Sequence, residues 1–203
     1  MASPGGSGPT LAVFDFDGTL TRRDTLLPWL AELRGWRRTL IAAARAGLAA
    51  PLRPRRDGAD TRTAIKQRLL RQLLTGVEQA AGVAAAQRLA RRLSWRASGL
   101  DALQRHRQAG DRVLIATGAA DFVARTLLAE RFGDRLEVIG TTLELDRGRF
   151  TGRMLGANCV RRAKADRLRN WLVENGPFHS ISGYGNAPHD LPMLALCDHR
   201  TMI

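Results

Sequence analysis

The sequence predicts an α/β fold, a doubly wound parallel sheet with a helical insertion after its first strand. Three features carry that expectation. An apolar run from Leu11 to Phe16 ends in acidic residues, as a buried strand running into a loop does. A long arginine-rich stretch with helical periodicity follows it, and from Asp101 the pattern turns to alternating strands and helices. At 203 residues, 44% hydrophobic and 25% charged, the chain has room for one core plus a sizeable insertion, and neither disorder nor a repeat array fits it.

In chain order, residues 1–10 carry no basic residue and no apolar run, so they are expected to be a disordered leader rather than a secretory signal or anchor. The core is expected to comprise residues 11–21 and 101–203. Residues 22–100 are expected to form the helical insertion. There Leu26, Leu27, Leu30 and Leu33 recur at helical spacing, followed by Ile41 to Leu48, then Ile65, Leu69, Leu70, Leu73 and Leu74, then Val83 to Leu93. Pro51, Pro54 and Asp57-Gly58 divide this stretch into two halves. In the core, a helix from about Leu100 to Gln108 leads into a strand at Val113 to Ala116, a helix from Asp121 to Glu130 and a short strand at Leu136 to Ile139. Thr142 to Leu145 and Arg149 to Thr151 flank an Asp146-Arg147-Gly148 turn, which reads as a hairpin. A helix from Arg162 to Val173, a last core strand at His179 to Gly183 and a short helix from Asp190 to Leu196 complete the alternation.

Net charge is +13, and it is concentrated. Between Arg22 and Leu100 stand 17 basic and five acidic residues, a net of +12, whereas the remainder carries 15 basic and 14 acidic. A segment so unlike its flanks is expected to be a separate unit with its own surface role. Thirty of the 32 basic residues are arginine, a bias that composition alone could produce, but composition does not explain the confinement to one segment. Cys159 and Cys197, with no CxxC and no Cys/His cluster, argue against a disulfide framework and a structural zinc, so a reducing cytoplasm is the default expectation. The longest mostly apolar window, Thr39 to Leu52, is broken by Arg45 and is shorter than the roughly 20 residues a membrane span needs.

In a parallel sheet ligands bind where the strands end. The first strand runs into Asp15-Phe-Asp17-Gly18-Thr19-Leu20-Thr21, the second into Thr117-Gly118-Ala119, and the last into Gly185-Asn186-Ala-Pro-His-Asp190, with Lys164 near the start of the helix before it. Carboxylates, a hydroxyl and an ammonium thus converge on one edge, the outline of a magnesium phosphate site. Read singly, Thr117 equally fits a helix cap and Lys164 a solvated charge. His189 reads as a solvated loop residue, His179 as structural, and both cysteines as small packed apolar groups. Trp29 and Trp36, seven apart, read as one helix face in the insertion's core.

These four motifs, in this order, closely resemble the haloacid dehalogenase superfamily, in its phosphoserine-phosphatase-like branch. The first matches at every position from Asp15 to Thr21. The second (Val113 to Gly118) and the third (Lys164) match more loosely. The fourth, Gly183 to Leu194, matches with one departure. The resemblance implies a Rossmann-like core with a C1-type helical cap. It implies Asp15 as the nucleophile, Asp17 as general acid and base, Thr117 on a phosphoryl oxygen and Lys164 offsetting charge, with Gly18, Thr19 and Gly118 at the phosphate. It further implies magnesium held by Asp15, the Asp17 carbonyl and the fourth-motif side chain, and Asp190 is expected as a further metal residue, directly or through water. The departure is Asn186, where the family usually has an acid; an amide oxygen still binds magnesium, with one negative charge fewer.

The resemblance and the charge together imply a magnesium-dependent phosphomonoesterase working through an aspartyl-phosphate. Arg22-Arg23-Asp24-Thr25-Leu26-Leu27-Pro28-Trp29, with Phe150-Thr-Gly152 and Gly156-Ala-Asn158-Cys159 ahead of Lys164, looks like a bacterial group that includes phosphatidylglycerophosphate phosphatase C-like enzymes. An anionic phosphoester such as a lipid phosphate is therefore the expected substrate. The mixture of Trp, Leu and Ile with Arg34, Arg37, Arg38, Arg45, Arg53, Arg55 and Arg56 fits peripheral contact with an anionic, inner-membrane surface. The alternatives are a phosphoserine-phosphatase-type enzyme and a phosphate-binding homologue impaired at Asn186. Nucleic acid is disfavoured as a partner, because no recognised nucleic-acid motif accompanies the arginines.

Overall fold

The computed structural model describes residues 8–48, 61–133, 136–186 and 188–203. The expected break at Pro51, Pro54 and Asp57-Gly58, the arginines at 53, 55 and 56, and the first seven residues of the expected leader lie outside them. Five parallel strands form the core sheet in the order β3-β2-β1-β6-β7: β1 (Thr10–Phe14), β2 (Arg112–Ala120), β3 (Glu137–Thr141), β6 (Ser180–Gly185) and β7 (His199–Met202). Sequence order reverses between β1 and β6, which makes that seam the crevice where a doubly wound sheet binds ligands. A hairpin of β4 (Leu143–Asp146) and β5 (Arg149–Met154) stands apart as its own sheet.

Because side chains alternate across a strand, β1 serves both faces. Ala12 and Phe14 join the apolar cluster on one side, Leu11 and Val13 the cluster on the other. Helices α5 (Ala97–Gln108) and α6 (Asp121–Phe132) cover the first face through Leu103, Val123 and Leu127. Helices α7 (Arg161–Asn175) and α8 (Leu191–Leu194) cover the second through Leu168, Met193 and Leu194.

The insertion is helical: α1 (Leu26–Arg34), α2 (Trp36–Leu48), α3 (Thr61–Leu74) and α4 (Gln79–Ala90). The chain leaves and re-enters the core along one short two-stranded track. Thr21 bridges Trp95, Arg22 N–H donates to the Ser94 carbonyl at 2.9 Å, and Arg96 N–H to the Leu20 carbonyl at 2.8 Å. Its apolar interior is continuous with the core. Trp29 lies 5.5 Å from Phe122 of α6, Phe122 stacks on Phe150 of β5 at 5.4 Å, and the Trp29 indole N–H donates to the Gly82 carbonyl at 3.0 Å. The two tryptophans do not share a helix face. Gly35, with φ +80°, ends α1, so Trp29 is 1% exposed whereas Trp36 opens α2 and is 53% exposed.

Candidate active site

β1 ends at Phe14, and the next residue, Asp15, sits buried at the seam with β6, its N–H donating to the Tyr184 carbonyl at 2.8 Å. Lys164, in the first turn of α7, reaches across the sheet edge. Its Nζ donates to Asp15 Oδ1 at 2.6 Å and to Asp190 Oδ1 at 2.7 Å, with all three side chains at most 7% exposed. Thr19 Oγ1 donates to Asp15 Oδ2 at 3.0 Å. Burial pushes the Asp15 carboxyl above the ordinary aspartate range, opposed by Lys164 and reinforced by Asp190. Burial also works against the Lys164 charge, but the two carboxylates outweigh it and hold this ammonium above the ordinary lysine value.

Asp17 is fixed from one side. Its Oδ1 accepts from Thr25 N–H at 3.0 Å and Thr25 Oγ1 at 2.9 Å, both at the entrance to α1. Its carboxyl is pushed well above the usual range, first by burial, then by the nearby charges of Asp24 and Asp15. Between the two acids and β6 the backbone is tight. Gly18 has φ +83°, and a Cβ there would overlap the Asn186 amide nitrogen. That amide donates to the Asp17 carbonyl at 3.3 Å, while Asn186 N–H donates to Asp190 Oδ2 at 3.2 Å. Both Asp190 oxygens are thereby engaged in holding Lys164 and the Asn186 loop.

Asp15, Asp17, Gly18, Gly118, Lys164, Asn186 and Asp190 line one cavity of about 580 Å³. Thr117 and Thr19 do not line it. Both are 0% exposed; the Thr117 hydroxyl accepts from Ala119 N–H at 2.9 Å, and the Thr19 hydroxyl is turned to Asp15. His189 is no free loop residue, since its Nε2 accepts from Arg62 of α3 at 3.0 Å on the cavity wall. Cys159 and Cys197 are buried as expected.

Lys66, also of α3, enters the same cavity from the insertion. Its Nζ donates to the Gly118 carbonyl at 2.6 Å, to Asn158 Oδ1 at 2.8 Å and to Thr141 Oγ1 at 3.3 Å, and burial lowers its pKa to about 8. The sequence reading missed it as a site residue. A signal was present: Lys66 falls on the stripe shared with Leu69, Leu70, Leu73 and Leu74, where a lysine has no reason to be unless something buried receives it.

The cavity brings the Asp15 and Asp17 carboxyls and the Lys164 ammonium to one space of about 580 Å³. A hard divalent cation suits its oxygen donors, namely the Asp15 carboxylate, the Asp17 carbonyl and the position-186 amide, whose oxygen faces Asp17 once the amide is turned over. Among the described residues no three His, Cys, Asp or Glu side chains form a ready metal cluster, so the donor set mixes side-chain and main-chain oxygen.

The profile of the haloacid dehalogenase-like hydrolases matches residues 12–195. The chain is 31% identical to Protein CicA of Caulobacter vibrioides over 204 residues, covering 98% of this chain and 88% of that one. It is 34% identical over 99 residues to a histidinol-phosphatase of Neisseria meningitidis, an overlap of 46% of this chain and 44% of that relative. Among solved structures, a phospho-aspartyl intermediate analogue of phosphoserine phosphatase superposes with a TM-score of 0.64 at 17% identity, covering 97% of this chain and 87% of that one.

Proposed function

Because the chain belongs to the haloacid dehalogenase-like hydrolases, we propose that it is a magnesium-dependent phosphomonoesterase working through an aspartyl-phosphate on Asp15. The observation that carries the reading is the buried Lys164 ammonium held 2.6 Å from Asp15, with Asp17 anchored by Thr25 two residues further on. Lys164 orients Asp15 and offsets the negative charge that nucleophile and phosphate bring together. An Asp15 oxygen bonds to phosphorus as the ester P–O bond breaks, and the departing alkoxide takes the proton of Asp17. Water then attacks the same phosphorus and gives its proton to Asp17. This releases phosphate and restores the Asp15 carboxylate. The high pKa of Asp17 suits it to hold that first proton, and Thr25 leaves its Oδ2 free of the two anchoring bonds.

Magnesium would be held by the Asp15 carboxylate, the Asp17 carbonyl and Asn186, and when bound it supplies positive charge to the phosphoryl oxygens. Asn186 contributes a neutral oxygen where a carboxylate would bind more tightly. Asp190, with both oxygens engaged, acts on the cation through Lys164 and the loop rather than as a direct ligand.

For the substrate we favour an anionic phosphoester such as a lipid phosphate, because Arg22, Arg23 and Arg62 line the cavity. A second reading is a small phosphorylated amino-acid derivative of the kind named for histidinol-phosphatase and phosphoserine phosphatase, favoured by the partial relationship to the former.

The test is hydrolysis of p-nitrophenyl phosphate with and without magnesium by wild type, Asp15→Asn and Asn186→Asp. We expect magnesium-dependent turnover, its loss in Asp15→Asn with the melting transition retained, and a lower magnesium requirement in Asn186→Asp. Turnover surviving in Asp15→Asn removes the nucleophile assignment. Turnover appearing only in Asn186→Asp makes the natural chain an impaired phosphate binder.

A further inference from the structure

The second-motif residues stand on an irregularity of the sheet. The β2–β3 pairing slips between Ala116 and Ala120, so residues 117–119 bulge from the ladder, and Gly118 and Ala119 line the cavity. A bulge of this kind has lost its ladder bonds and needs other partners to fix it. One comes from within, Ala119 N–H to Thr117 Oγ1. The Gly118 carbonyl takes two others, Thr141 Oγ1 at 2.9 Å from β3 and Lys66 Nζ at 2.6 Å from α3. Lys66 is the partner supplied by the insertion, at a sequence separation of 52 residues.

The surroundings of Lys66 are unusual for a buried ammonium. Its three hydrogen-bond partners, the Gly118 carbonyl, Asn158 and Thr141, are all neutral, and the carboxylates of Asp17 and Asp24 act on it through space without a hydrogen bond. The three partners are cross-linked in turn: the single Thr141 hydroxyl proton has Asn158 Oδ1, also at 2.9 Å, as its alternative acceptor to the Gly118 carbonyl, Cys159 N–H donates to Thr141 Oγ1 at 3.0 Å, and the Asn158 amide donates to Thr63 of α3 at 3.0 Å. One ammonium therefore ties α3, the bulge, β3 and the segment leading into α7, the helix that carries Lys164. Gly118 also packs against that segment: a Cβ there would lie 2.8 Å from Val160 Cγ1.

We propose that Lys66 is a positioning residue, clamping the Gly118 carbonyl so that the cavity-facing edge of the Thr117–Ala119 bulge is set only while the helical insertion is seated. The kinetic part of this proposal rests on the phosphatase reading above; the structural part does not. A desolvated ammonium on a carbonyl makes a strong bond, and its loss leaves a buried acceptor short of a donor.

The experiment compares the full-length wild type with Lys66→Met, which keeps the stem and removes the donors, and Lys66→Arg, which keeps charge and donors. Lys66→Gln replaces the Met variant should that one fail to fold. Amide hydrogen exchange without ligand is the first readout. In Lys66→Met we expect residues 117–120 to exchange about ten-fold faster while Val113 to Ile115 stay protected, with most of the protection returned in Lys66→Arg. The second readout is turnover of p-nitrophenyl phosphate, where kcat should fall about ten-fold with KM nearly unchanged. Unchanged exchange at the bulge overturns the proposal whether or not the wild type is active. A rise in KM at constant kcat also overturns it, since that is the mark of a residue holding substrate directly. A wild type without turnover removes the phosphatase reading and leaves the exchange result to decide the clamp.

Discussion

Asp15 and Asp17 share a motif, yet Asp15 is buried whereas Asp17 is partly exposed, and their neighbours differ. Lys164 stands against Asp15, whereas the charges that push the Asp17 carboxyl up are carboxylates, Asp24 first. The phosphatase reading requires Asp17 protonated at the start of the cycle, so activity falls as pH rises through its pKa. Asp24→Asn removes one of the charges that keep that pKa high while preserving the oxygen that accepts from Leu26 N–H at 2.8 Å. The alkaline limb of kcat/KM should consequently move to lower pH by roughly half to one unit. A limb that stays in place means another group supplies the proton. At this scale the candidate residues were legible because the chemistry proposed for them dictates their types: Asp15, Asp17 and Lys164 line one cavity, as their order implied. Hydrogen-bond direction was not legible. Whether Thr19 and Thr117 turn their hydroxyls to a ligand or to the protein depends on the local backbone, and here one turns to Asp15 and the other receives Ala119.

The elements that bring these residues together were legible wherever periodicity was strong. The β2 strand, α6, α7 and the β4–β5 hairpin fall within a few residues of expectation, and β1 starts at Thr10, one residue inside the expected leader. Short, exposed β7 carries no alternation, with all four residues exposed, so nothing in its composition announces it. Nor could spacing alone reveal that Gly35 splits α1 from α2 and sends Trp36 outward. A second glycine shows how the elements are locked. Gly99, in the first turn of α5, lies so close to the Thr19 carbonyl that a Cβ would overlap it and press on Leu20 Cα at 3.3 Å. This contact sets α5 against the loop that follows Asp15 and Asp17, and backbone cannot swing aside as a side chain can. Gly99→Ala should therefore cost about 2–3 kcal/mol by overpacking, roughly 5–10 °C in Tm for a chain of this size. A Tm within a degree of wild type would mean that the loop is free to move, and the cavity with it.

Across the whole molecule, charge and apolar exposure lie on the same part of the chain. The insertion holds a net +12 of the total +13. Its charge excess was legible from composition, but its attachment was not, because the apolar interior of the insertion merges with the core through Trp29, Phe122 and Phe150 instead of closing on itself. Helix α2 buries Thr39, Ala42 and Ala46, leaving Trp36, Leu40, Ile41 and Leu48 exposed beside Arg37, Arg38 and Arg45. The α2–α3 pair runs antiparallel: Arg34, which ends α1 just ahead of α2, donates from Nε to the Leu73 carbonyl at 2.8 Å near the end of α3, and Arg68 of α3 donates to the Ala46 carbonyl near the end of α2 at 3.4 Å. The Leu48 end of α2 therefore points toward the end of α3 that carries Arg62 and Lys66 to the cavity. No helix among the described residues is long and apolar enough to cross a membrane. A face of this composition suits a lipid surface approached from outside, where apolar side chains enter the interface and each arginine near anionic headgroups contributes about 1 kcal/mol. If the substrate is a lipid phosphate, the protein should co-sediment with phosphatidylglycerol vesicles at low salt, with a blue shift in tryptophan emission that Trp36→Phe removes. Raising the salt toward 1 M, where the screening length falls to about 3 Å, should release it. Replacing Arg37, Arg38 and Arg45 together by glutamine should weaken binding without changing turnover of p-nitrophenyl phosphate, because none of the three lines the cavity. Equal affinity for phosphatidylcholine and phosphatidylglycerol vesicles, or none for either, would assign the charge to composition and move the substrate search to small phosphorylated metabolites.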